Sequence, residues 1–332
     1  MLGLRPGGRG LVMAAATLRS RTRRPVAAHG RRLPVRGGVV LALVGILAAC
    51  GSGPAATPGG GTPLRVVATT TVFADLVRQV GGAAVDVRSL VPKGGEVHTF
   101  DPTPADVGRV EDADLIVANG LGLDDWLTGL TRDAGTTAPI VRLGENLPGV
   151  TYLEGDGGTP NPHLWMNVAY AAGYVDRIEA ALTAADPSEA SAFHAGAGAF
   201  RARLVALDGA IRSALSAIPA ADRAVVSFHD AFPYFAAAYG IRIVGNLVAS
   251  PGQDPSAGTV ADLVAAIRAN GVHLILAEAQ FSPKLASTIA AETGAKVVTG
   301  LYTDSVGDPP SDTYEAMLQF DADQIISAIR GG

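Results

Sequence analysis

Short apolar runs rich in β-branched residues alternate with amphipathic stretches along most of this chain. Residues 64–70 read as a buried strand, 72–80 as a helix ended by Gly81-Gly82, and 85–91 as a second strand ended by Pro92. A loop over residues 93–102 follows. Thr103-Pro104-Ala105-Asp106 then opens a helix, with Thr103 as its cap and Pro104 in its first turn. Residues 115–118 form a third apolar run, and 124–130 a further helix. Strands alternating with helices predict parallel βαβ units.

The middle of the chain has a different period. After a helix over residues 168–184, Asp186-Pro187-Ser188-Glu189 supplies a helix start. Apolar residues then recur in steps of three or four at Phe193, Ala197, Phe200, Leu204, Leu207, Ile211, Leu215 and Ile218. That stripe predicts one helix of about 30 residues, roughly 45 Å long. The alternation resumes beyond it, with strands at 224–228, 241–247, 272–277 and 295–299 and helices at 231–239, 260–269, 283–293 and 312–329. The predicted fold class is α/β, with two lobes, each a mostly parallel sheet flanked by helices, joined by one long rigid helix. The expected divisions are an N-terminal lobe over 64–185, a linking helix over 186–219 and a C-terminal lobe over 220–332.

Residues 1–63 break the pattern. Residues 1–50 hold nine arginines, no lysine and no acid, and end in the apolar run 39–49. That run is too short to span a bilayer, which takes about 20 residues. A basic stretch before a short apolar core reads as a secretory signal. Met13 as the start, or Arg31-Arg32 as a twin-arginine signal, are both compatible with it. Leu47-Ala48-Ala49-Cys50 resembles a bacterial lipobox, which assigns 1–49 to a signal peptide and Cys50 to lipidation. The Gly/Pro/Ser/Ala stretch from 50 to 63 reads as a flexible tether. Without residues 1–50, 17 basic residues face 31 acids, a formal charge of −14. Such a body is a poor partner for nucleic acid and a better one for cations. Cys50 is the only cysteine, so no disulfide or thiolate metal site can form within the chain.

The candidate chemistry lies in the histidines. His98 sits in a loop after a strand, His163 before a helix and His229 at the end of a strand; Asp304 also follows a strand. Ligands of open α/β sheets bind beyond the carboxyl ends of strands, and each lobe supplies two of these four residues. Three imidazoles and a carboxylate suit Zn²⁺, or Mn²⁺ at a harder site. Four protein ligands leave no open position for an activated water, which speaks against a zinc hydrolase. Spacing adds little: the four lie 65, 66 and 75 residues apart, and a lone histidine is more often structural. His29 leaves with the signal. His194, on the long helix, reads as solvated, His273 as a satisfied core histidine, and Trp126 and Trp165 as core.

Five segments carry a more specific signal. They are Leu90-Val91-Pro92 with Glu96-Val97-His98-Thr99-Phe100-Asp101-Pro102-Thr103-Pro104; Ala118-Asn119-Gly120-Leu121-Gly122-Leu123-Asp124-Asp125-Trp126-Leu127; Asn161-Pro162-His163-Leu164-Trp165-Met166; Ser227-Phe228-His229-Asp230-Ala231-Phe232-Pro233-Tyr234-Phe235; and Tyr302-Thr303-Asp304-Ser305 with Thr313-Tyr314. Together they make residues 64–329 resemble the solute-binding lipoproteins of zinc and manganese ABC importers. The resemblance implies that His98, His163, His229 and Asp304 are the four metal ligands. Val97 and Asn161 depart from a usual proline and aspartate, and Asp124 and Asp254 from usual glutamates; none is a ligand position.

The resemblance also bears on the metal. Manganese members often carry a carboxylate at the position of His229, so imidazole there favours Zn²⁺. Zinc members often carry a histidine-rich loop, and residues 144–162 contain Glu145, Glu154 and Asp156 but no histidine. Zinc is favoured, with manganese the alternative. The implied protein is not an enzyme. It is an extracytoplasmic, lipid-anchored monomer that delivers a divalent metal to an ABC permease and its ATPase, with surface adhesion as a secondary reading.

Overall fold

The computed structural model describes residues 61–155, 158–248 and 250–331. Residues 1–49, Cys50 and most of the tether lie outside the described residues. Two four-stranded sheets organise the rest. The first lobe holds β1 (Leu64–Ala68), α1 (Thr71–Gly81), β2 (Val85–Ser89), α2 (Pro104–Glu111), β3 (Leu115–Ala118), α3 (Leu127–Ala134) and β4 (Ile140–Arg142). After it come α4 (Val168–Ala185) and α5 (Ala190–Ser216). The second lobe holds β5 (Ala224–Ser227), α6 (Pro233–Tyr239), β6 (Arg242–Asn246), α7 (Ala257–Asn270), β7 (Leu274–Glu278), α8 (Lys284–Thr293), β8 (Lys296–Leu301) and α9 (Tyr314–Arg330).

The strand orders are β2-β1-β3-β4 and β6-β5-β7-β8, and every pairing is parallel. Helices cover both faces, so the inner strands β3, β5 and β7 are buried at every residue. In each sheet the chain order reverses beside the first strand. That switch point leaves a crevice beyond the strands' carboxyl ends, and the two crevices face each other.

Helix α5 is the 27-residue spine. A 3-10 turn over Pro187–Glu189 leads into it, and the stripe from Phe193 to Leu215 is buried as its period predicts. It packs on α1 and α4 of the first lobe and on α6 and α9 of the second. Gly196 permits the approach to α1, because a Cβ there would collide with the Val80 carbonyl oxygen. One apolar core runs along this spine through both lobes. The cap expected at Thr103 forms, and the structure completes it as a capping box, with Asp106 accepting from the Thr103 amide at 2.8 Å.

One strand is added and two local readings change. Strand β4 is a three-residue edge strand beside Pro139, too short and half-buried to show a period. Asp124 lies in a turn ahead of α3 rather than within it. His273 is exposed just ahead of β7, not a core histidine, because it lies outside the strand that the helices cover. Among the described residues no helix is long and apolar enough to cross a membrane.

Candidate metal centre

Four loops meet where the crevices face. The first continues β2: Leu90 and Val91 donate to the carbonyls of Ala68 and Thr69 before the chain turns out to His98. Buried Val97 pins that loop, and its carbonyl accepts from Trp126 Nε1 at 2.9 Å. The second runs from Leu153 to Asn161, whose ends pair antiparallel through Glu154 and Pro160. His163 follows, at the start of a 3-10 turn over Leu164–Met166. His229 stands two residues beyond β5, and Asp304 three residues beyond β8.

The loop bearing Asp304 springs from the second lobe but is seated on the first. Trp165 Nε1 donates to the Thr303 carbonyl at 2.8 Å, and the Gly94 amide donates to Ser305 Oγ at 2.9 Å. Thr71 Oγ1 lies 3.0 Å from Ser305 Oγ and accepts from the Val306 amide at 3.0 Å. The Tyr314 hydroxyl donates to the Trp165 carbonyl, and the Tyr314 amide donates to Asp75 at 2.8 Å.

The structure brings all four sequence-predicted residues together, with one donor atom from each within 4.8 Å of every other. The Asp304 carboxylate is the hub, 3.5 Å from His163 Nε2, 3.7 Å from His229 Nε2 and 3.8 Å from His98 Nε2. Four donors about 2.1 Å from a tetrahedral ion would stand about 3.4 Å apart, so the cluster is near the spacing an ion requires. His163, His229 and Asp304 are buried, and His98 is partly open to solvent. All three Nε2 atoms and Asp304 Oδ1 are buried without a hydrogen-bond partner, a cost that a shared cation would relieve. A cavity of about 140 Å³, lined by His98, His163, His229, Asn161, Asp230 and Leu121 among others, leads outward.

The supports behind the histidines differ. His163 Nδ1 lies 3.0 Å from Asn161 Oδ1, so Nδ1 carries the proton and Nε2 is free to ligate. His229 Nδ1 lies 2.8 Å from Glu278 Oε1, a buried carboxylate at the end of β7. The His98 amide donates to Glu96 Oε1 at 2.9 Å.

Protonation follows from these surroundings. Burial lowers the His98 pKa to about 3, leaving it neutral. Burial would lower His229 too, but Glu278, aided by Asp304 and Glu96, raises it to about 9. Burial opposes ionisation of Asp304, but the three imidazoles around it more than reverse this and hold its pKa below the usual carboxylate range. Burial, together with the charge of Asp304, raises Glu96 to about 7.

The sequence alone left Glu278, Glu96 and the role of Asn161 unread. A clue to Glu278 is that its charge closes an otherwise apolar strand. His194 lies apart from the cluster, exposed on α5 with Nδ1 2.7 Å from Glu179. Trp165 is fully buried, and half-buried Trp126 packs on Phe100 at the cluster's edge.

Comparison with known proteins agrees with this geometry. The profile described as zinc-uptake complex component A, periplasmic, matches residues 66–328. The chain is 31% identical to the iron-binding protein YfeA of Yersinia pestis, over 79% of this chain and 85% of that one. It is 28% identical to the manganese ABC transporter substrate-binding lipoprotein PsaA of Streptococcus pneumoniae, over 86% and 94%. The structure matches the periplasmic zinc-binding protein TroA of Treponema pallidum with a TM-score of 0.75 at 26% identity, covering 81% of this chain and 99% of that one. These are transport proteins rather than enzymes, and this chain belongs to their family, the metal-binding substrate-binding proteins of ABC transporters described as zinc-uptake complex component A.

Proposed function

We propose that this protein captures Zn²⁺ outside the cell membrane, holds it with His98, His163, His229 and Asp304, and presents it to an ABC permease driven by an ATPase. The observation that carries this reading is the convergence of three unpartnered imidazole nitrogens on one buried carboxylate. The ion is cargo, enclosed by four protein donors that leave no position for a reacting water. Cys50 is the site of acylation, and the lipid holds the protein at the membrane.

The choice of zinc rests on the donors. Relatives are named for manganese, iron and zinc, so membership alone does not select the metal. Three imidazoles with one carboxylate form a softer set than a manganese site favours. Elemental analysis, with calorimetric titration of Zn²⁺ and Mn²⁺ into chelator-stripped protein, tests the reading. One tight equivalent of Zn²⁺, lost in His229→Ala, is expected. Tighter binding of Mn²⁺ would change the cargo, and no stoichiometric binding of either would overturn the site.

A further inference from the structure

Beside the cluster, Asn161 bridges the two lobes through its side-chain amide. Asn161 is 2% exposed, and its amide is engaged from opposite sides. Oδ1 faces its own lobe, accepting from the His163 amide at 3.0 Å and lying 3.0 Å from His163 Nδ1. Nδ2 faces the second lobe, donating to the Asp230 carbonyl at 2.7 Å and to Asp230 Oδ2 at 2.9 Å. The other Asp230 oxygen accepts from Asn246 Nδ2 at 3.2 Å, on strand β6. A polar chain thus runs from a ligand of one lobe, through Asn161 and Asp230, into the sheet of the other.

The backbone holds Asn161 in place. Its carbonyl accepts from the Tyr234 hydroxyl at 3.0 Å, and its amide donates to the Leu153 carbonyl at 2.8 Å. Gly155 presses against it so closely that a Cβ there would lie 2.9 Å from the Asn161 Cα. The side chain therefore meets both partners with little freedom to turn away.

Only an amide serves both sides. A carboxylate at position 161 would still accept from His163, but would set an acceptor against the carbonyl and carboxylate of Asp230. An apolar isostere would serve neither. Both residues line the cavity leading from the cluster, so their contact borders the route of the ion.

We propose that Asn161 is a positioning residue with two linked tasks: it orients His163 toward the ion, and it latches the first lobe to Asp230, so that release requires the Asn161–Asp230 contact to open. This rests on the four-residue site proposed above. The latch predicts control of metal loss more than of capture, because the contact must break before the ion leaves.

Transfer of Zn²⁺ from loaded protein to a fluorescent chelator, followed by stopped flow, tests it. Asn161→Asp is expected to release the ion about tenfold faster or more, because it faces Asp230 with like charge. Asp230→Asn in the same chain restores a donor opposite an acceptor, and release is expected to slow again. Such rescue would not follow from general damage to the loop. Release from Asn161→Asp at the wild-type rate, or no slowing in the double variant, would overturn the latch. Asp230→Ala covers the case in which Asn161→Asp does not fold: faster release supports the latch and an unchanged rate overturns it. Failure of the wild type to take up Zn²⁺ would remove the proposed cargo alone. Amide exchange over residues 158–163 in the metal-free chain then reads the latch, faster in Asp230→Ala if it exists and unchanged if it does not.

Discussion

Set strand against strand, the two lobes place equivalent residues at the edge of the site and use them differently. Ala68 of β1 lies opposite Val117 of β3, as Ser227 of β5 lies opposite Leu276 of β7. Two residues beyond the first pair stand Thr70 and Asn119; two beyond the second stand His229 and Glu278. All four are buried polar residues. Thr70 caps α1 by accepting from the Phe73 amide. Asn119 donates to the carbonyls of Gly120 and Pro162 at 3.0 Å and accepts from the Tyr174 hydroxyl. In the first lobe, neighbours occupy the polar atoms at these positions, so they are structure. In the second, Glu278 Oε1 meets His229 Nδ1 at 2.8 Å, and His229 Nε2 is left buried without a hydrogen-bond partner. A strand end is open to binding where a lone pair is left over, as at His229 Nε2, and one plan supports both uses.

The sharpest way to break the comparison is at the shared hub. Asp304→Ala is expected to weaken Zn²⁺ binding by well over the hundredfold typical of a residue behind a ligand, read by calorimetric titration. Glu278→Gln gives the second lobe a neutral amide behind its histidine, as the first already has behind His163. Binding should weaken by about ten- to hundredfold, and the metal-free protein should unfold at a lower temperature, because the buried His229–Glu278 pair is broken.

Acidity sharpens the contrast further. His229 is raised to about 9, so in the metal-free protein it carries a proton at neutral pH. That proton contributes stability fully below the unfolded value of about 6.5, and the contribution is lost as pH rises through about 9. The ion must displace the same proton, so affinity should rise about tenfold per pH unit toward pH 9. Titration at pH 7.5 in buffers of different ionisation enthalpy should show about one proton released per ion, and less in Glu278→Gln. The smallest effect belongs to the first lobe's own acid. Asp124 accepts from Thr69 Oγ1 and from the amides of Asn119 and Gly120 at 2.7–3.0 Å. Asp124→Asn should cost about 1 kcal/mol in denaturant unfolding and leave Zn²⁺ affinity unchanged.

Much of this was legible in the chain. The inner strands announce themselves because burial on both faces makes them continuous apolar runs, and α5 because its stripe holds its period over 27 residues. The four clustered residues were legible because histidine is scarce here and each stands beside an element end, a signal made specific by the motifs around them. Their supports were not. Glu278 looks like any acid closing a strand until the parallel register sets it against His229. Asn161 bonds to Asp230, 69 residues away, and no local pattern encodes such a contact. His273 was misread because one histidine in an apolar run carries no mark of where the strand begins.

The seat of the Asp304 loop has a practical consequence for dividing the molecule. A cut within α5 gives two halves by sequence but not by attachment, since the loop donated by the second half docks against Thr71, Gly94 and Trp165 of the first. A fragment ending with α5 would contain His98, His163 and the empty berth for the missing carboxylate. Separately expressed halves should therefore find one another through that strap, which makes residues 302–314 the natural handle for a split reporter of bound metal.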